Sequence, residues 1–185
     1  MGHQGADWLD RFDRQQEEQP QKLVDALNLQ PIDVVGDIGA GTGYISKLLS
    51  AQVPAGQVLA VDIQPEMITM LNNRFDKTTN IKAVLGQEQK SGLTAASINL
   101  ALMVDVYHEF NYPREMMEDL AAALKPNGRI VLAEYRGEDP FVFIKPHHKT
   151  TQKQIKKEMA AVGLRWNKTL DILPQQHLMF FSKSN

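Results

Sequence analysis

"VVGDIGAGTGY", Val34 to Tyr44, sets three glycines at alternate positions directly behind a short apolar run. The run reads as a strand over Asp33 to Ile38, and Thr42 to Gln52 reads as the helix that follows it. A glycine-rich turn between a strand and a helix is the ligand-bearing corner of doubly wound α/β folds, where ligands lie beyond the carboxyl ends of the strands. Gly39, Gly41 and Gly43 therefore read as backbone that a bound molecule approaches closely. The following strand, Gln57 to Ile63, ends in Asp62, whose carboxylate can accept hydrogen bonds from both hydroxyls of a ribose.

Outward from this corner the alternation continues. A helix opens at Pro65 and runs to about Lys77, and Ile81 to Gly86 is a third strand. Ile98 to Asp105, "INLALMVD", is nearly all apolar, as a strand covered on both faces must be. Pro113 to Leu124 is a helix stopped by "KPNG", Gly128 to Arg136 a fifth strand, and Thr151 to Val162 a last helix ended by Gly163. Two final strands, Arg165 to Ile172 and Gln176 to Ser182, are joined by a connection too short for a crossover helix, so they pair antiparallel. The expected fold is α/β: a Rossmann-like, doubly wound, seven-stranded sheet, mostly parallel with an antiparallel C-terminal hairpin. Residues 1–30 are expected as a helical extension, with Trp8, Leu9, Phe12, Leu23, Val24 and Leu27 at helical spacing and Pro20 dividing two short helices, and residues 31–185 as the ligand-binding domain.

Composition narrows the function. A chain of 185 residues that is 43% hydrophobic has the size of one domain able to bury a core and enclose a cofactor. A formal net charge of −2 with no block of like charge argues against a protein that coats nucleic acid. The absence of cysteine excludes disulfides, cysteine–zinc sites and thiol catalysis. No apolar run is long enough to span a bilayer and the start is polar, so the expected location is cytoplasmic, without membrane insertion.

Nicotinamide dinucleotides and S-adenosylmethionine both suit a glycine corner followed by an acidic strand end. The dinucleotide fingerprint is G-x-G-x-x-G, whereas here the spacing is G-x-G-x-G and Tyr44 stands where the third glycine belongs. Asp37 would repel a pyrophosphate and attract the ammonium of a methionine moiety. The terminal hairpin is the third discriminator, since a six-stranded all-parallel dinucleotide fold has none. The chain resembles the class I S-adenosylmethionine-dependent methyltransferases, in particular the small-molecule enzymes similar to those of ubiquinone and menaquinone biosynthesis. "DIGAGTG" carries the first motif and "VLAVDI" the acidic second, while "LMVDVYHEF" and "LKPNGRIVLAEY" fill the fourth- and fifth-strand regions, over about Pro31 to Phe181. The resemblance implies cofactor contacts at Asp37, Gly39, Ala40, Gly41 and Gly43, at Asp62 and Ile63, at Gln87 or Glu88 for the adenine amino group, and at Val104. Asn99, where the family has Asp, reads as structural.

Methyl transfer is a direct displacement, so alignment of the reactants supplies most of the catalysis and a base serves acceptors that must lose a proton. Residues just past strands four and five should build the acceptor side. His108 is the candidate base, because the unperturbed pKa of a histidine side chain lies near neutrality, with Tyr107 and Tyr112 beside it. Glu134 is either a base or a partner of Arg136. The stretch from Phe141 to Lys149 is read as a lid over an anionic or ionisable small-molecule acceptor, with Lys145 and His148 contacting it. The adjacent His147 and His148 lack a carboxylate at helical spacing, so no metal is expected. A catalytically silent cofactor-binding sensor or scaffold is the alternative function. A nicotinamide oxidoreductase is disfavoured by Tyr44, and methylation of nucleobases by "DVYH" standing in place of an Asn-Pro-Pro-aromatic signature.

Overall fold

The computed structural model describes residue 11, residues 14–75 and residues 79–184. Trp8, Leu9 and Phe12 lie outside these residues, as does the expected reach of one helix to Lys77. Two short helices, α1 (Arg14–Glu17) and α2 (Pro20–Ala26), precede β1 (Val34–Ile38). There follow α3 (Tyr44–Gln52), β2 (Gln57–Asp62), α4 (Pro65–Arg74), β3 (Ile81–Leu85), β4 (Ile98–Val104), α5 (Pro113–Ala123) and β5 (Leu124–Arg136). The chain closes with β6 (Lys149–Thr150), α6 (Gln152–Ala161), β7 (Leu164–Leu170) and β8 (Gln176–Lys183). No helix among the described residues is long and apolar enough to cross a membrane.

The sheet order is β3-β2-β1-β4-β5-β8-β7. The first five strands pair in parallel, while β8 runs antiparallel to both β5 and β7. The seven expected strands are all present, and β6 adds two residues alongside Tyr135 and Arg136 of β5. Two residues show no alternation, which is why the sequence does not announce β6. Because β1 lies between β2 and β4, the strand order reverses beside it, and the crevice beyond the carboxyl ends of β1, β2, β4 and β5 is where this fold holds a ligand.

Alternation within the strands divides the core into two layers. Ala101 and Met103 of β4, Ile130 and Leu132 of β5 and Met179 and Phe181 of β8 pack toward α5 and α6, meeting Met116, Leu120, Ile155 and Met159. Leu100, Leu102, Val131, Ala133, Leu178 and Phe180 face the opposite layer, with Ile45 and Leu49 of α3. Leu23, Val24 and Leu27 belong to that second layer, and Arg129 Nη2 donates to the Leu27 carbonyl at 2.5 Å. The N-terminal segment is thus part of the domain core from α2 onward. Each such buried aliphatic side chain contributes about 1.5–3 kcal/mol, which ties the segment to the sheet.

Gly43 caps α3 in the left-handed region, at φ 82°. A Cβ there would stand 2.5 Å from Phe75 Cε2 and 2.7 Å from Leu71 Cδ2. Gly43→Ala is expected to cost about 1–2 kcal/mol from backbone conformation alone, read as a lowered midpoint in urea unfolding. An unchanged midpoint would show that the turn relaxes freely.

Candidate functional site

The loop after β1 is tied to β2 by its own backbone. The amides of Gly39 and Ala40 both donate to the Val61 carbonyl at 2.9 Å. The amide of Gly41 donates to Asp62 Oδ2 at 3.0 Å, and that of Gln64 to Oδ1 at 2.9 Å. Asp62 is buried, and each of its oxygens has one lone pair spent on the backbone and one to offer. Asp62 therefore shapes the glycine loop and presents acceptors beside it.

Above this loop opens a cavity of about 520 Å³, within the range that encloses a cofactor-sized ligand. One end is lined by Gly39, Gly41, Asp62, Ile63, Glu88 and Val104, with Ile38, Val61 and Met67 supplying apolar wall. The other end is lined by His108, Asn111, Tyr135, Ile144, Lys145 and His148. Nine expected site residues thus share one cavity: Gly39, Gly41, Asp62, Ile63, Glu88, Val104, His108, Lys145 and His148.

Six expected site residues do not line it. Asp37 is buried and accepts from Ser46 Oγ at 2.5 Å, which turns its carboxylate toward α3. Ala40 has its amide bound to Val61, and Gly43 serves the packing of α3 against Leu71 and Phe75. Gln87 is exposed in a turn closed by its amide on the Lys90 carbonyl, 2.7 Å, and this leaves Glu88 of the adenine pair facing the cavity. Tyr107 is buried in the core, edge-on to Phe110, with its hydroxyl donating to Glu158 Oε2 of α6 at 2.8 Å. Tyr112 is exposed at the start of α5. Nearness in sequence to His108 points both tyrosines at the acceptor, but the 3₁₀ turn Tyr107–Glu109 sends Tyr107 and His108 in different directions, and Tyr112 lies beyond that turn as the residue that caps α5.

Glu134 is the residue whose role sequence left open. It is fully buried near the end of β5, and Arg136 turns away to the carbonyls of Leu173 and Pro174. Glu134 Oε1 accepts from the amides of Val106, 3.1 Å, and Tyr107, 2.8 Å, and Oε2 lies 2.7 Å from His108 Nδ1. His108 Nε2 in turn lies 2.8 Å from His148 Nδ1. Burial, reinforced by His108, His147 and Lys145 and opposed by Glu109, holds the His148 imidazole below its ordinary pKa, so the neutral ring is favoured. His108, His148 and Glu109 also bring one potential metal-ligand atom each within 4.8 Å of one another, an arrangement made by the fold rather than by helical spacing.

A methyltransferase-domain family model matches residues 36–132, which run from β1 into β5 and so take in the glycine loop, Asp62 and His108. The chain belongs to that methyltransferase family. An uncharacterized methyltransferase-like protein of Schizosaccharomyces pombe is 26% identical over 144 residues, 78% of this chain and 54% of its own length. A probable ribosomal RNA small subunit methyltransferase A of Methanosarcina barkeri is 38% identical over 69 residues, 37% of this chain and 23% of its own. The chain spans about half or less of the length of these curated relatives. A crystal structure of a SAM-dependent methyltransferase from Aquifex aeolicus superposes with a TM-score of 0.90 at 21% identity, covering 98% of both chains, and shares the fold.

Two further residues line the cavity without a sequence signal of their own. Asp105 directly follows β4 in the left-handed region, at φ 52°, and accepts from Gln176 Nε2 at 3.1 Å. Strain of that kind in a non-glycine residue is a mark of functional positions, and it is visible only in the backbone. Glu18, buried between α1 and α2 and paired with Arg11 at 2.6 Å, brings the N-terminal segment to the cavity. The relocation of Tyr107 has a consequence that can be measured. Tyr107→Phe removes a hydrogen bond to a carboxylate worth about 1.5–3 kcal/mol of stability, seen as a lowered unfolding midpoint, while cofactor affinity and turnover stay at wild-type values. A tenfold fall in turnover would return Tyr107 to the acceptor site.

Proposed function

We propose that this methyltransferase moves the methyl group of S-adenosylmethionine onto a small-molecule acceptor. The observation that carries the reading is a single cavity joining the Asp62-bound glycine loop to the Glu134–His108–His148 chain. The residues fit the cofactor: Asp62 has lone pairs for ribose hydroxyls, Glu88 an acceptor for the adenine amino group, and Ile38, Ile63, Met67 and Val104 apolar surface for the ring. Asp62 and Glu88 place carboxylates on the wall, which favours a molecule bearing sulfonium and ammonium and disfavours a pyrophosphate. Bound S-adenosylmethionine supplies an electrophilic methyl group.

The chain's own task is to close water out and hold the acceptor in line. Ile144, Lys145 and His148, from the connection leaving β5, cover the acceptor end, so that connection acts as a lid. Lys145 presents a cation to an anionic or ionisable acceptor, and His108 with Glu134 behind it handles the proton. Phe141 and Phe143 on the same connection are 79% and 90% exposed and take no part in the cavity wall. A cavity of about 520 Å³ whose acceptor end is lined by His108, Ile144, Lys145 and His148 supports a small acceptor over a polymer. Incubation with methyl-labelled S-adenosylmethionine and a panel of phenols, enols, amines, thiols and carboxylates, with bulk RNA and protein in parallel, tests this. Label is expected in a small molecule; label in RNA or protein alone would overturn the acceptor class.

A further inference from the structure

Tautomers along the Glu134–His108–His148 chain are set one by one. An ionised carboxylate only accepts, so the proton between Glu134 Oε2 and His108 Nδ1 sits on the imidazole and leaves His108 Nε2 as a lone pair. That lone pair faces His148 Nδ1 at 2.8 Å, so His148 donates from Nδ1 and carries its own lone pair on Nε2. The rings meet edge to face, with centroids 4.9 Å apart and an interplanar angle of 89°, which aims one ring's edge at the other's nitrogen. His108 has both nitrogens occupied. The basic end of the chain is therefore His148 Nε2, on the lid.

We propose that His148 Nε2 is the group that takes the acceptor's proton, that His108 relays it and Glu134 positions the relay, and that the acceptor atom is a hydroxyl oxygen. This rests on the methyl-transfer reading and names the acceptor chemistry within it. The acceptor O–H proton passes to His148 Nε2 as the oxygen forms its bond to the methyl carbon, and the carbon–sulfur bond breaks with its electron pair going to sulfur. His148 Nδ1–H moves to His108 Nε2, so the proton taken up ends on an imidazolium 2.7 Å from the Glu134 carboxylate and then leaves to solvent. A carboxylate acceptor would need no such relay, whereas a phenol, enol or alcohol does. The other charged groups facing His148 are His147 and Lys145 from its own loop and Glu109 from the turn after β4.

Two measurements test this. In protein labelled with ¹⁵N-histidine, measured alone and again with S-adenosylhomocysteine added, a coupling across the hydrogen bond is expected between His108 Nε2 and His148 Nδ1, with His108 protonated on Nδ1; this readout does not depend on activity or on ligand binding. Two independent, solvated imidazoles would overturn the relay, and so would stoichiometric Zn²⁺ uptake from a chelator buffer that shifts both nitrogens. Kinetically, His148→Ala is expected to slow transfer to a weakly acidic alkylphenol by about 10²–10⁴-fold and to a nitrophenol, already ionised near neutrality, by less than about tenfold. Equal losses across the phenols, or methylation of carboxylates and amines alone, would overturn the assignment. Absence of any S-adenosylhomocysteine binding would instead defeat the methyl-transfer reading and leave the coupling measurement standing.

Discussion

Replacing Glu134 by glutamine is expected to lower turnover by about two to four decades while the protein stays folded and keeps its cofactor affinity. The amide oxygen can still accept from the Val106 and Tyr107 amides, so the buried position remains satisfied. The amide nitrogen then faces His108 Nδ1 and donates to it, which moves the histidine's proton to Nε2. His108 becomes a donor toward His148 where it had been an acceptor, and the relay runs backwards. Glu134→Ala is a different experiment: it strands the buried Tyr107 amide and the partly buried Val106 amide and is expected to destabilise the protein by about 2–6 kcal/mol, taking the two orphaned donors together. Steady-state kinetics with the glutamine variant, beside an unfolding curve, separates the two effects. Wild-type turnover in Glu134→Gln would mean that the buried carboxylate serves the fold alone.

Asp62→Ala carries the second large effect, a loss of about one to two decades in affinity for S-adenosylmethionine. A charge-assisted hydrogen bond contributes about 1.5–3 kcal/mol, and Asp62 offers its remaining lone pairs to the ligand while holding Gly41 and Gln64 in place. Asp62→Asn discriminates between these tasks. One side-chain oxygen remains to accept from one backbone amide, but the NH₂ group replaces an acceptor with a donor, so partial recovery of affinity points to the loop and no recovery points to the ribose. Calorimetry on both variants reads the difference.

The fold was legible because it depends on period and punctuation. The near-continuous apolar β4 announced a strand covered on both faces, and Leu100 and Leu102 do face one layer while Ala101 and Met103 face the other. The short "LPQ" connection required β7 and β8 to pair antiparallel, as they do. What escaped was set by side-chain direction and long-range pairing. Asp37 and Asp62 look equivalent as strand-end acids, yet one turns to Ser46 and the other to the cavity. Tyr107 and His108 are neighbours in sequence, but one enters the core and the other the cavity. The Glu134–His108 and His108–His148 pairings span 26 and 40 residues, and no local pattern encodes them; β6, only two residues long, is the pairing that follows His148 directly along β5.

Titration calorimetry with S-adenosylhomocysteine and, separately, with NAD⁺ tests the central claim most directly. The account predicts a one-to-one heat for S-adenosylhomocysteine that Asp62→Ala weakens by one to two decades, about 1.4–2.8 kcal/mol, and no comparable heat for NAD⁺. Saturable binding of NAD⁺ with none of S-adenosylhomocysteine would contradict it.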